Sequence, residues 1–241
     1  MRAETRHQLK QDRFRGTTLQ VAEDAATWTA EHKSKLIAGV VAAVVVIAVV
    51  AGGWYYLSAQ EQKASADLSK AMRTMDTYVR PAGSPAQPDQ PSFASAQERA
   101  TEARKEFQAI ADKYPHTRSS EFAHYFLGLT ETELGDYAAA QKELAPIASS
   151  RNEDLASLAK MAQAAAYRKQ GQNKQAADIY KALAEKPTTL VSKASAQLEL
   201  AATLLADRQP LEAKSVYERV QKENPASPAS QIAAQALQDL K

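Results

Sequence analysis

Four histidines are the residues of this chain best suited to acid–base or metal chemistry. His7 and His32 lie near the N-terminus, while His116 falls in a predicted turn and His124 in a predicted helix. Metal sites on helices use pairs such as His-x-x-x-His, which place two imidazoles on one face. No such pair occurs in the sequence, and no carboxylate stands at metal-ligand spacing from the histidines. We therefore predict no metal site and interpret His124 as a packing residue.

Other motifs of catalysis are absent from the sequence as well. The chain has no cysteine, which excludes disulfides, thiol catalysis and thiolate metal sites. It has neither a glycine-rich phosphate loop nor the Gly-x-Ser-x-Gly turn that presents a nucleophilic serine. Charged runs such as residues 97–106 mix both signs at i, i+4 spacing, which is typical of a solvated helix face. The sequence predicts a protein that is not an enzyme, with no catalytic residue, no cofactor and no small-molecule substrate.

Charge is nearly balanced, with a formal net charge of +2 over 241 residues. Residues 1–35 hold seven lysines and arginines against five acidic residues, which leaves 23 of each sign for the remainder. A nucleic-acid interface needs a basic patch, so we predict no nucleic-acid partner. The 44% share of hydrophobic residues, rich in alanine and with only 8 glycines, predicts an all-α fold.

One segment of 22 residues, LIAGVVAAVVVIAVVAGGWYYL from Leu36 to Leu57, carries no charge. At about 1.5 Å per residue, such a helix spans roughly 33 Å and can cross a hydrocarbon core of about 30 Å. Lys33 and Lys35 precede the segment. It ends in aromatic residues typical of membrane interfaces: Trp54, Tyr55 and Tyr56. We predict a single transmembrane anchor over residues 36–57.

A cleaved secretory signal is the main alternative for this segment. Its charged leading region would be 35 residues long, and bulky aromatic residues stand where small residues normally precede a cleavage site. An uncleaved anchor therefore fits better. The two lysines next to the apolar segment favour a cytoplasmic tail over residues 1–35. The C-terminal domain would then lie in the periplasm of a bacterium, tethered to the inner membrane.

Two segments separate the anchor from the rest of the chain. A helix is predicted over residues 58–80, where four apolar residues recur at helical spacing: Leu68, Met72, Met75 and Val79. Residues 81–94 are predicted to be a proline-rich linker, because four of the ten prolines lie between Pro81 and Pro91 and a helix does not tolerate that density.

From residue 95 onward, three columns of similar residues recur at spacings of 36 or 37. The first column holds alanines: Ala103, Ala140, Ala176 and Ala213. Four residues after each alanine comes a large residue: Phe107, Leu144, Tyr180 and Tyr217. Three residues further on comes an aliphatic residue: Ile110, Ile147, Leu183 and Val220. A period of this length made of two helices is the signature of a helical solenoid.

Each repeat is predicted to be a hairpin of two helices. Its first helix carries a small residue twelve positions before the column alanine: Gly128, Ala164 and Ala201. A small residue there lets the two helices approach closely, while the large residue of the second helix fills the adjoining gap. Gly135 and Gly171 stand between the helices and are expected to end the first helix in a left-handed conformation. Residues 95–241 thus form about 3.5 repeats plus a capping helix that begins after Ser227.

Several of these residues resemble the tetratricopeptide repeat. The matching residues are Leu127-Gly128 in a first helix, Gly135-Asp136-Tyr137 in a turn, and the late prolines Pro115 and Pro225. The sequence departs from the pattern where the usual first-helix tryptophan is replaced by His124 or Lys160, and its units are longer than the usual 34 residues. The resemblance implies a divergent tetratricopeptide-like solenoid.

A solenoid of helix hairpins leaves a concave groove, lined by first helices, that binds peptide segments or partner helices. The predicted groove-facing residues are Phe122, Tyr125, Leu129, Met161, Ala165, Arg168, Leu198, Ala202 and Leu205. This mostly apolar lining suits exposed hydrophobic segments of client proteins. It lacks the Lys/Asn/Arg set with which some tetratricopeptide domains clamp a C-terminal carboxylate. Alternatively, Leu198 and Leu205 only pack against the next hairpin, since exposed and buried apolar stripes look alike in sequence.

The order of segments is similar to that of the YfgM-type ancillary subunits of the Sec translocon. The tail stretch TWTAEHKSK, the anchor end GGWYYLSAQEQ and the divergent repeats carry this resemblance. It implies an inner-membrane protein whose periplasmic domain works beside the SecYEG channel and periplasmic chaperones on newly exported chains. The alternative function is a structural scaffold or coordinator of a cell-envelope complex, such as one acting in cell division or envelope assembly.

Overall fold

The structure is a computed structural model that describes residues 32–85, 89 and 91–240. The predicted tail, residues 1–35, therefore lies almost entirely outside the described residues. The described residues form an all-helical fold, in which the only β-type pairing is an isolated bridge. Its helices are α1 (Lys33–Asp76), α2 (Ala96–Lys113), α3 (Arg118–Leu134), α4 (Tyr137–Ala148), α5 (Glu153–Lys169), α6 (Asn173–Glu185), α7 (Lys193–Ala206), α8 (Pro210–Glu223) and α9 (Pro228–Asp239).

The chain divides into two compact units, Met1–Ser58 and Ala59–Lys241. In the first unit, α1 contains a stretch that is long and apolar enough to cross a membrane, with none of it buried. Its last aromatic residues, Trp54, Tyr55 and Tyr56, are among the most exposed large side chains described. The stretch therefore has the length and the composition of a membrane span.

The second unit includes the last part of α1. Ala64 and Ala71 of that helix are fully buried in one apolar cluster with Ala103 and Phe107 of α2. Two alanines on the contact face let the helices approach closely, as the small residues of later first helices do. Residues 59–76 therefore pair with α2 as the first helix of a hairpin. The repeat pattern alone identifies no first helix for α2.

The helix of α1 ends at Asp76, although we predicted helix up to residue 80. Pro81 disfavours helical backbone at the residue before it. The backbone of Val79 instead forms an isolated bridge with Phe93, in which the Phe93 N–H donates to the Tyr78 carbonyl at 3.0 Å. The Arg80 N–H donates to the Phe93 carbonyl, also at 3.0 Å. The two ends of the proline-rich segment are therefore tied together, which makes it a closed loop.

Three helix hairpins follow, α3–α4, α5–α6 and α7–α8, and α9 packs on the last of them. From α2 onward each helix contacts the next along the chain, and the neighbouring first helices α3, α5 and α7 also contact one another. The predicted columns are confirmed as the core. Ala103, Ala140, Ala176 and Ala213 are fully buried, and the large and aliphatic columns are buried with them.

Gly128 shows why a first helix needs a small residue at this position. An added Cβ would lie 2.6 and 2.9 Å from the Leu144 atoms Cδ2 and Cδ1, and closer still to Cγ. Leu144 is itself fully buried and fills the gap that the glycine leaves. In the next two hairpins the same gap is lined by alanine and filled by tyrosine. The close approach predicted between the helices is therefore confirmed.

The turns and the last helix also follow the sequence pattern. Gly135 and Gly171 have φ values of +83° and +76°, the left-handed conformation predicted for them. The Ser227 hydroxyl accepts a hydrogen bond from the Ser230 N–H at 3.0 Å and so begins α9, with Pro228 in its first turn. The outer face of α9 is rich in glutamine, as expected for a helix that ends a stack.

Candidate functional site

The nine residues predicted to face a groove lie on α3, α5 and α7, and we call their surface the first-helix groove. Its residues are Phe122, Tyr125 and Leu129 on α3, Met161, Ala165 and Arg168 on α5, and Leu198, Ala202 and Leu205 on α7. Every one of them is partly exposed, neither fully buried nor free in solvent. Eight of the nine are apolar or carry an aromatic ring, so the surface is apolar with one charged residue.

The α3 part of the groove is rich in aromatic side chains. Phe122, Tyr125 and Leu129 pack against an apolar cluster built from α4 and α5, and Tyr125 also makes an edge-to-face contact with Phe126 at 5.2 Å. Burial raises the pKa of the Tyr125 hydroxyl above its ordinary value. These side chains therefore pack against their neighbours while each of them remains partly exposed.

The α5 and α7 parts rest on the next two apolar clusters. Met161 packs against the cluster around Tyr180, while Leu198 and Leu205 pack against the cluster around Tyr217. The packing contacts that we gave as an alternative reading for Leu198 and Leu205 thus exist. Both residues nevertheless keep part of their surface exposed, so packing and ligand contact do not exclude each other here.

An ion pair joins the two first helices α5 and α7 within this surface. The Arg168 Nη1 lies 2.8 Å from the Glu199 Oε2, with side chains that are 29% and 37% exposed. A pair with this much exposure contributes only about 0–1 kcal/mol to stability. Its main consequence is electrostatic, because Glu199 neutralises the single charge among the nine predicted groove residues.

Two tyrosines of the second helices lie close to this ion pair. Burial, reinforced by the negative charge of Glu199, raises the pKa of the Tyr180 hydroxyl to about 12. Burial and Glu199 also raise the pKa of Tyr217. In both cases Arg168 opposes the shift. The same two charges act on both phenols, so both hydroxyl groups lie within electrostatic reach of this ion pair.

The sequence pattern does not associate Glu199 or the Tyr180 hydroxyl with this surface. Tyr180 was recognised only as a member of the large packing column, because a buried aromatic column gives no sign of where its hydroxyl ends. Glu199 directly follows Leu198, which was predicted to line the groove. One signal could have identified Glu199. It is a carboxylate next to apolar groove residues, and the first helix of the preceding hairpin carries an arginine, Arg168.

Two clefts lie on the other side of the hairpins, between successive second helices. One, with a volume of about 1100 Å³, is bounded by α4 and α6 and has residues of α5 such as Lys160 and Gln163 at its floor. Another, of about 470 Å³, lies between α6 and α8 above Leu200 and Leu204 of α7. Both have mixed apolar and charged linings, and the predicted groove residues line neither.

His124 of α3 makes a short polar contact with a carboxylate. The His124 Nδ1 lies 2.7 Å from the Glu143 Oε2, so the imidazole of α3 contacts the second helix α4. Within the described ranges, no three residues of the His, Asp and Glu types come together in a geometry that could hold a metal ion. The His124 side chain therefore joins α3 to α4.

Successive helix hairpins that contact one another, with small residues at their helix crossings, are typical of helical repeat proteins. A family model described as a tetratricopeptide repeat-like domain matches residues 26–179, more than half of the chain. The chain therefore belongs to the tetratricopeptide repeat-like family. The matched range begins before the apolar segment and ends within α6. No curated protein and no solved structure matches the chain.

Proposed function

We propose that the protein is a membrane-anchored protein–protein interaction module whose first-helix groove binds apolar segments of other proteins. In this proposal the hairpins stack as a solenoid, and residues 36–57 cross the bacterial inner membrane from a cytoplasmic tail to a periplasmic domain. The observation that carries the proposal is the state of the groove residues: all nine are partly exposed, and six of them pack against apolar clusters. Membership of the tetratricopeptide repeat-like family supports it.

The chemistry of the groove indicates what it would bind. Arg168 is its one cation, and Glu199 already neutralises that charge. A ligand with a free carboxylate would gain little there, because it would have to compete with Glu199. Aromatic rings, leucines and a methionine instead favour apolar side chains, and methionine adapts to ligands of varied shape. Unfolded or partly folded chains display such segments.

Newly exported proteins are the partners that fit this chemistry and the proposed location. A chain that leaves a translocon is unfolded and exposes apolar segments next to the membrane. An anchored domain would meet it there at high effective concentration. We therefore propose an ancillary translocon subunit that assists exported proteins or periplasmic chaperones, consistent with the resemblance to the YfgM-type subunits.

The clefts between second helices support a second candidate, a scaffold of a cell-envelope complex. The larger cleft, of about 1100 Å³, lies among α4, α5 and α6 and has room for a partner's side chains. A scaffold would hold a fixed partner there, whereas a client-binding groove would take many chains in turn. The two candidates therefore differ in which side of the hairpins is used.

Site-specific photocrosslinking in intact cells tests the proposal. A photoreactive amino acid at Leu129, in the groove, is expected to capture several newly made exported proteins. The matched position is Ala145, which is exposed and lines the larger cleft. No capture at Leu129, or capture of cytosolic proteins alone, would contradict the proposal. A single fixed partner captured at Ala145 would favour the scaffold.

A further inference from the structure

The hydroxyl of Tyr180 is a buried donor without an acceptor. The side chain is fully buried, and its Oη makes no hydrogen bond with any group in the described part of the chain. Buried tyrosine hydroxyls usually find a partner, because an unmade hydrogen bond leaves the cost of desolvation uncompensated. A buried donor without an acceptor therefore calls for a partner that the described part of the chain does not supply.

The position of the ring shows where that partner would come from. Tyr180 belongs to α6, and its ring packs in one cluster with Ala164 of α5 and Ala196 of α7. It therefore extends from a second helix toward the seam between two first helices. The Arg168–Glu199 ion pair bridges the same two helices at 2.8 Å. The groove residue Met161 packs against the same cluster, and both charges of the ion pair act on the Tyr180 hydroxyl, so the hydroxyl lies near the ion pair.

The Arg168–Glu199 ion pair near the Tyr180 hydroxyl is weak. Both of its side chains are about one-third exposed, and pairs with that exposure contribute little to stability because water screens them. Long side chains such as arginine and glutamate also change rotamer rapidly. A ligand in the groove can therefore separate the two side chains at small cost and reach the hydroxyl below.

We infer that the Tyr180 hydroxyl donates a hydrogen bond to a main-chain carbonyl of an extended segment bound in the first-helix groove. This inference rests on the function proposed above and names the group of the ligand that is recognised. A carbonyl oxygen fits better than a carboxylate, because the unused group is a donor and a second negative charge would be repelled by Glu199. Recognition of the main chain does not depend on sequence, so it is compatible with clients of varied sequence.

Replacing Tyr180 with phenylalanine tests the inference. The full chain is placed in nanodiscs, since detergent would occupy an apolar groove, and titrated with a fluorescein-labelled peptide of leucine, phenylalanine and serine with blocked ends. Tyr180→Phe is expected to weaken binding about threefold to tenfold, the loss of one hydrogen bond. The Tm of the variant should stay equal to that of the wild type or rise, because the lost hydroxyl had no partner.

Tyr114→Phe is the matched control, because the Tyr114 hydroxyl does have a partner. It donates to the Asp67 Oδ2 at 2.9 Å, away from the first-helix groove. This variant is expected to have a lower Tm and unchanged peptide affinity. A second control is the same peptide with ester bonds in place of main-chain amides, which weakens the carbonyl acceptors. Tyr180→Phe should lose less affinity for the ester peptide than for the amide peptide.

Three results would overturn the inference. Equal affinity of Tyr180→Phe and the wild type would show that the hydroxyl does not contact the ligand. A drop in Tm like that of Tyr114→Phe would show that the hydroxyl has an acceptor within the protein. An equal loss for amide and ester peptides would exclude main-chain carbonyls. If the wild type binds neither peptide, the proposed function itself is wrong.

Discussion

Replacing Gly128 with alanine is expected to lower the free energy of unfolding by about 1–2 kcal/mol. The added methyl group would meet the Leu144 side chain at distances that real side chains do not adopt. Overpacking costs about 1–3 kcal/mol, and contact with a fully buried side chain puts this site in the upper part of that range, at about 2–3 kcal/mol. Alanine in place of glycine gains about 1 kcal/mol in a helix. Because Leu144 is fully buried, it has no open space into which to move, so the steric cost should exceed the helical gain.

Thermal unfolding of the full chain in detergent micelles, followed by circular dichroism, measures this effect as a Tm about 2–8 °C lower. The control is a double-mutant cycle with Leu144→Ala. That substitution alone removes the core contact, at a cost of about 2–5 kcal/mol. In the presence of Gly128→Ala its cost should be smaller, because the new methyl group fills part of the cavity. Additive effects would mean that the two residues do not meet.

Replacing Glu61 with alanine is expected to destabilise the second unit by about 0.5–2 kcal/mol, the range for loss of a helix cap. The Glu61 carboxylate accepts from the Arg118 N–H at 2.7 Å and from the Ser119 hydroxyl at 2.7 Å. It also accepts a longer bond from the Ser119 N–H at 3.4 Å. These amides open α3, where the helix dipole adds a favourable interaction with a negative charge.

Hydrogen exchange followed by mass spectrometry locates this effect. In Glu61→Ala, the amides at the start of α3 should exchange faster, together with those of α1 after Ala59. Gln62→Ala is the control, because Gln62 is exposed on the same helix. Unchanged exchange at the start of α3 would show that Glu61 does not hold these two helices together.

Much of the repeat fold could be predicted from sequence because its constraints are local and periodic. A small residue at each helix crossing and a large residue opposite it recur at nearly constant spacing, so the pairing of Gly128 with Leu144 could be inferred before any contact was seen. The left-handed glycines Gly135 and Gly171 were predictable for the same reason. Each of these features depends on neighbours within one hairpin.

The role of the last part of α1 could not be predicted in that way. Its partner α2 follows a proline-rich segment, which read as a linker between separate elements. The Glu61 contact joins residues 57 apart in the chain, and no repeat spacing marks it. The bridge between Val79 and Phe93 brings α2 back to α1, and two residues of backbone pairing leave no sequence pattern.

The candidate groove was predictable only as a set of helix faces. Periodicity placed nine residues on first helices, but whether a side chain is covered depends on the next hairpin. The structure shows intermediate exposure for all nine residues. This result lies between the two interpretations of the sequence, a fully exposed binding surface and a buried packing surface. Glu199 and the Tyr180 hydroxyl were missed because a charge partner and an unmade hydrogen bond are properties of tertiary structure.

The central claim, that the first-helix groove binds apolar segments, is tested most directly by a pair of matched substitutions. Ala165→Glu places a carboxylate in the groove, and Ala145→Glu places the same group in the cleft on the second-helix side. The probe is a reduced and alkylated secretory protein, which stays unfolded, titrated against the full chain in nanodiscs. We predict that Ala165→Glu weakens binding about tenfold while Ala145→Glu leaves it unchanged. Unchanged binding by Ala165→Glu, or a loss only in Ala145→Glu, would contradict the claim.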